Sequence, residues 1–144
     1  MSQNEKVYKG NCFCGAVEIV VSGDAEVAAY CHCESCRSWS ASPVNAGTLW
    51  KPDAVQVTRG AEHIGEFRKT ERSHRQWCKL CGGHVMNRHP DSVIDVYAAT
   101  IPSFPFKPSF HIHYQETVLR MTDGLPKFKD LPKEFGGSGE LLPE

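Results

Sequence analysis

Three thiols fall within six residues in CHCESC, Cys31 to Cys36, with His32 between the first two. Thiolates at this density do one of two things: they oxidise to disulfides or they hold a soft metal ion. Disulfides rarely persist in a reducing compartment, and an odd total of seven cysteines fits full pairing badly. The other four also come in short-spaced groups, Cys12 and Cys14 in CFCG and Cys78 and Cys81 in CKLCG. Metal ligation accounts for all seven, because closely spaced thiolates are the donor pattern of zinc sites.

The groups divide as four and three. One CxC and one CxxC supply four thiolates, a closed tetrahedral Zn²⁺ site. In an extended strand Cys12 and Cys14 would face the same side, and Gly82 would allow the tight turn that aims N–H groups at the sulfurs of Cys78 and Cys81. Such a site ties two distant chain segments together and contributes on the order of 10 kcal/mol in small zinc domains. Cys31, Cys33 and Cys36 then supply three corners of a second site. Its fourth corner is open to an exogenous ligand, or is filled by a lone His, Asp, Glu or water; an open corner is what distinguishes catalytic zinc from structural zinc. Spacing alone also permits Cys12 and Cys14 to pair with Cys33 and Cys36.

The elements that must position these thiols are short strands. AVEIVVSG, VAAYC, VQVTRG, HIGEF, VIDVYAA and HIHYQ are β-branched or alternating, and ESCRSWS is long enough for one or two helical turns. PSFPFKPSF is a loop, because prolines 102, 105 and 108 remove ladder donors. Nine prolines and twelve glycines favour many bends over long helices, so the class is mainly β. The 144 residues suit one domain, 1–135, with the glycine-rich segment 136–144 as a flexible tail.

The charge balance of 16 basic and 17 acidic residues, net −1, shows no basic stripe. Neither a nucleic-acid footprint nor a membrane-surface role is expected. MSQNEKVYKG has no apolar leader segment, and the expected location is cytoplasmic.

Taken together, CFCGAV, CHCESCR, RQWCKLCG, VIDVYAAT and the late HIHY and TDGLPKF segments resemble the glutathione-dependent formaldehyde-activating enzyme family. That family shares its domain with the centromere protein V group. The resemblance covers roughly Lys9 to Phe128. It implies a β-tent of small antiparallel sheets around a structural zinc held by Cys12, Cys14, Cys78 and Cys81. It implies a second, labile or catalytic zinc on Cys31, Cys33 and Cys36, the expected catalytic residues. The implied activity is a carbon–sulfur lyase-type reaction on glutathione–aldehyde adducts, with glutathione as co-substrate and a small aldehyde as partner.

A thiol entering the fourth corner of zinc would lose its proton near neutral pH and meet the aldehyde at short range. A fourth thiolate would also make the site more negative and favour release of the metal. Arg37 follows the last thiol and could take a substrate carboxylate through two parallel hydrogen bonds; its bland role is to donate to backbone carbonyls. His32 is expected behind the site, ordering the turn. Arg72 and Arg75 are expected on a solvated strand face, Trp39 and Trp77 in packing, and His111 and His113 as surface or core rings rather than ligands. The rival class is a non-catalytic zinc scaffold or interaction module, in which a protein side chain closes the second site.

Overall fold

The computed structural model describes residues Glu5–Glu144; the first four residues of the N-terminal segment lie outside the described residues. Among the described residues ten strands follow one another: β1 Val7–Asn11, β2 Glu18–Ser22, β3 Val27–Cys31, β4 Asn45–Trp50, β5 Val55–Arg59, β6 Ile64–Thr70, β7 Ser73–Cys78, β8 His84–Arg88, β9 Ile94–Tyr97 and β10 Phe110–Ile112. Among the same residues one α-helix, α1, spans Glu34–Ser40. The protein is mainly β. The chain divides into two compact units, each built from two separated segments: Met1–Glu26 with Thr48–Phe106, and Val27–Gly47 with Lys107–Glu144.

The first unit holds two antiparallel arrays. β2 pairs with β1 on one side and β5 on the other. Alternation along EIVVS sends Ile19 and Val21 inward while Glu18, Val20 and Ser22 stay partly exposed. β6, β7, β8 and β9 form an antiparallel meander. It supplies Val85, Met86, Ile94 and Val96, which pack with Val17, Ile19, Val21, Trp50 and Ile101 into one apolar core. Trp50 is fully buried and its indole N–H is satisfied by Thr48 Oγ1 at 2.8 Å, which in turn donates to the Val96 carbonyl at 2.6 Å. The polar edge of the largest core ring therefore carries no desolvation penalty.

Two expectations about this unit are corrected. Cys12 and Cys14 sit in a turn between β1 and β2 rather than on an extended strand. Gly15, with φ of +84°, closes that turn by donating to the Cys12 carbonyl at 3.1 Å. The turn brings both sulfurs to one point without strand alternation. Arg75 does not lie on a solvated face: it is 4% exposed, paired on β7 with the buried Asn87 of β8, with Nη1 3.5 Å from Tyr97 Oη. Arg72 is exposed.

Gly60, just after β5, supports the segment that follows the Cys12–Cys14 turn. Its φ is +80°, and an added Cβ would stand 2.1 Å from the Ala16 carbonyl oxygen. Ala16 and Val17 cannot retreat freely, because Val17 both accepts from the Cys12 N–H at 3.0 Å and donates to Cys12 Sγ at 3.3 Å. Gly60→Ala is therefore expected to cost roughly 3 kcal/mol, from left-handed backbone plus overpacking, read as a lower urea midpoint. A loss below about 0.5 kcal/mol, the size of an ordinary surface change, would contradict the close approach.

In the second unit β3 and β10 run parallel, with Tyr30 opposite His111 and Cys31 opposite Ile112. Residues 113–144 are held by short pairings rather than long elements. His111 bridges Lys127, Phe128 bridges Leu141, and the Leu142 N–H donates to the Lys127 carbonyl at 2.8 Å. Phe110 rests its ring against Phe128 and Phe135. The segment 136–144 thus makes specific backbone contacts within its unit. No helix among the described residues is long and apolar enough to cross a membrane.

Candidate metal and thiol centres

Two sets of donor atoms emerge from these elements. Sγ of Cys12, Cys14, Cys78 and Cys81 all lie within 4.8 Å of one another, as do those of Cys31, Cys33 and Cys36. His111 and His113 belong to neither set.

The four-thiol set is built from two turns in the first unit. Cys12–Cys14 hangs below β1, and Cys78–Cys81 follows the end of β7. Gly82, at φ +77°, closes the second turn by donating to the Cys78 carbonyl at 2.7 Å, and the next amide, Gly83 N–H, points at Cys81 Sγ at 3.3 Å. Cys12 Sγ receives the Val17 amide. Sγ of Cys12 and Cys14 are 3.7 Å apart, and those of Cys14 and Cys78 are 3.8 Å apart. A disulfide needs ~2.05 Å, whereas a tetrahedron with Zn–S of ~2.3 Å has sulfur–sulfur edges of about 3.8 Å. The spacing, and backbone amides aimed at sulfur, fit a bound divalent cation.

Protonation carries the same message. Burial works to raise the Cys12 thiol, yet the Val17 amide and the neighbouring thiols bring it down to about 6. At Cys14 the Ala16 amide acts to lower the thiol, but burial and its three sulfur neighbours push it up to about 11. Thiols this close oppose one another's ionisation, and a cation is what lets all of them ionise together.

The three-thiol set forms where β3 ends and α1 begins. Cys31 is the last residue of β3, and Cys33 is the N-cap of α1, its sulfur accepting the Cys36 amide at 3.3 Å. Cys36 lies inside the first turn of α1. A strand end, a cap and a first helical turn thus converge three sulfurs from one short segment. The S–H groups of Cys31 and Cys36 pull the Cys33 thiol far down, while Cys33, Cys36 and burial push the Cys31 thiol up. This set also fits a cation on its donor chemistry.

Around it, Arg37 Nε donates to the His32 carbonyl at 2.9 Å, so the arginine expected to meet substrate braces the turn. His32 is fully buried, its Nε2 on His111 and its Nδ1 on Thr117. Burial, then the nearby positive groups, lowers its pKa to about 4, so the ring is neutral near pH 7. Glu116 Oε1 accepts the Glu34 N–H at 2.9 Å, at the start of α1. His113, left-handed at φ +54°, places Nδ1 3.6 Å from Glu116. Thr117, Asp123 and Lys127, which touch or extend the histidine pair, carried no sequence signal, since their partners are set by tertiary contact alone.

Comparison with known proteins places this geometry. The chain is 32% identical over 75 residues to an uncharacterised lyase of Schizosaccharomyces pombe, covering 52% of this chain and 53% of the relative. It therefore spans about half the length of that relative. A crystal structure of a Rhodobacter sphaeroides protein superposes with a TM-score of 0.53 at 24% identity, covering 67% of this chain and 89% of that one, a likeness of fold. The profile of the glutathione-dependent formaldehyde-activating enzymes matches residues 7–116, a span that holds both thiol sets. This chain belongs to the glutathione-dependent formaldehyde-activating enzyme family.

Proposed function

We propose that this protein is a carbon–sulfur lyase-like enzyme that joins a glutathione-type thiol to a small aldehyde, or reverses that addition. Cys12, Cys14, Cys78 and Cys81 hold a structural zinc in this reading, and Cys31, Cys33 and Cys36 hold a second, labile or catalytic one. Both units together make the one family domain, because the matched span runs through segments of each. The observation that carries the reading is the three-membered donor set: among the described residues it groups three sulfurs and no fourth Cys, His, Asp or Glu.

Zinc held by that set would supply a positive charge that lowers the pKa of an incoming thiol and keeps it as a thiolate. The chain's own residues do the rest. The Cys36 amide and the cap position of Cys33 fix one sulfur at the start of α1. The Arg37 guanidinium, oriented by its bond to the His32 carbonyl, meets a carboxylate of the peptide thiol through its Nη groups. In the addition a carbon–sulfur bond forms, the carbonyl π bond breaks, and the oxygen takes a proton; no redox change occurs. His32 does not give that proton, because both its ring nitrogens are engaged within the protein.

Seven cysteines that form no disulfide suit a reducing compartment, and we place the protein in the cytoplasm, acting on small molecules rather than nucleic acid. The test is direct: purified zinc-loaded protein, glutathione and formaldehyde, with the thiohemiacetal followed by NMR exchange spectroscopy. Exchange faster than the uncatalysed rate is expected. Exchange equal to the protein-free control, with zinc retained at both sites, would favour the scaffold reading.

A further inference from the structure

Two histidine rings that the proposed chemistry leaves unused lie wholly buried in the second unit. His32 and His111 are both 0% exposed, and His32 Nε2 lies 2.8 Å from His111 Nδ1. The contact continues at each end. His111 Nε2 is 2.7 Å from Asp123 Oδ2, and Lys127 Nζ donates to Asp123 Oδ1 and, at 2.6 Å, to Glu144 Oε2. On the other side His32 Nδ1 is 2.8 Å from Thr117 Oγ1. Tyr30 stacks on His111 at 4.9 Å, and Tyr114 presents its ring edge-on to both histidines. Burial acts to raise the Asp123 carboxyl, but the hydrogen bonds from Lys127 and His111 hold it well below the usual range, so it accepts from both.

The string ends in the middle of the three-thiol turn. His32 separates Cys31 from Cys33, and its main chain is fixed as well. Its N–H donates to the Ile112 carbonyl at 3.1 Å, and its carbonyl accepts from Arg37. All four polar atoms of the residue between two candidate ligands are thus anchored, and buried polar strings of this kind are strong when complete and costly when broken.

We propose that Thr117, His32, His111 and Asp123 are the positioning residues of the three-thiol turn. Asp123 accepts the Nε2–H of His111 and His111 Nδ1 accepts the Nε2–H of His32; His32 Nδ1 then takes the single Thr117 hydroxyl proton in place of the Leu119 carbonyl, which lies 2.8 Å from the same oxygen. Fixed in this order, the string holds the sulfurs grouped and raises the metal affinity of that site. None of the four touches substrate. The inference rests on the reading of Cys31, Cys33 and Cys36 as a metal-holding set.

The experiment uses the full chain, stripped and titrated with Co²⁺ against a competing chelator, each site followed by its sulfur-to-cobalt absorption. Asp123→Asn and Thr117→Val keep side-chain shape, and the four-thiol set in the same molecule reports general unfolding. Each variant is expected to weaken the second cobalt by about 10–100-fold, the usual size of a lost outer hydrogen bond to a metal site, with the first unchanged. Histidine ¹⁵N shifts of the wild type are expected to show both rings as Nε2–H tautomers. Uptake of one cobalt by the wild type would overturn the metal reading and this inference with it. Two cobalts with the second unaffected in both variants, equal weakening at both sites, or an Nδ1–H tautomer at His32 would overturn the inference alone.

Discussion

Cys78→Ala is expected to unfold the first unit at room temperature, and a strong chelator is expected to do the same to the wild type. Cys78 is completely buried and belongs to the apolar core cluster. Its sulfur lies 3.8 Å from that of Cys14, a partner 64 residues away. The Cys12–Cys14 and Cys78–Cys81 turns contain few apolar side chains that could hold them otherwise; Phe13 and Leu80, between the cysteines of each pair, are 90% and 63% exposed. In the proposed reading a zinc ion would supply their cohesion. Structural zinc contributes on the order of 10 kcal/mol, while a whole domain is stable by only about 5–15 kcal/mol. Losing one ligand, with a buried space left behind, removes most of that margin. Far-UV circular dichroism during urea titration, with and without chelator, checks it. A midpoint that moves by less than about 0.3 M, equivalent to well under 1 kcal/mol at the usual urea slope, would contradict a structural metal here.

The second large effect is on turnover rather than folding. Cys33→Ser is expected to lower the rate of adduct exchange by about a hundredfold or more, some 3 kcal/mol of barrier, with the thermal midpoint nearly unchanged. Cys33 has two roles that this substitution separates: it is a donor of the three-thiol set and the N-cap of α1. Serine is a better cap than cysteine but a poor ligand for a thiophilic ion. Cys33→Ala should lose the same activity and, in addition, about 1 kcal/mol of stability from the missing cap. Equal stability in the two variants would show that the cap is idle. Full activity in Cys33→Ser would remove this sulfur from the reactive centre.

What the sequence made legible follows a physical division. The strands at Glu18–Ser22, Val27–Cys31, Val55–Arg59 and Ile94–Tyr97 could be read because β-branched residues mark pleated, half-buried backbone whatever they pack against. β4 and β8 were harder to see. NAGTLW and HVMNR mix polar residues into the strand, and Thr48 and Asn87 are buried only because Val96 and Ser73 give them partners. The proposed ligands stood out because donor spacing is local. Their local backbone did not: CFC reads as alternating strand, and only Gly15 and the Val17 pairing bend it into a turn. Arg75 looked solvated because charge is usually exposed, and what buries it is its place opposite Asn87. The His32–His111–Asp123 string was invisible for the same reason, since His32 and His111 stand 79 positions apart.

The division of the sulfurs is tested most directly by zinc counting together with X-ray absorption at the zinc edge, before and after addition of glutathione. Two zincs per chain are expected, with an average of about 3.5 sulfurs each, from one four-sulfur and one three-sulfur site. Added thiol should raise that average to four or release one of the two ions. A single zinc per chain, or two whose sulfur count and retention ignore thiol, would contradict the account.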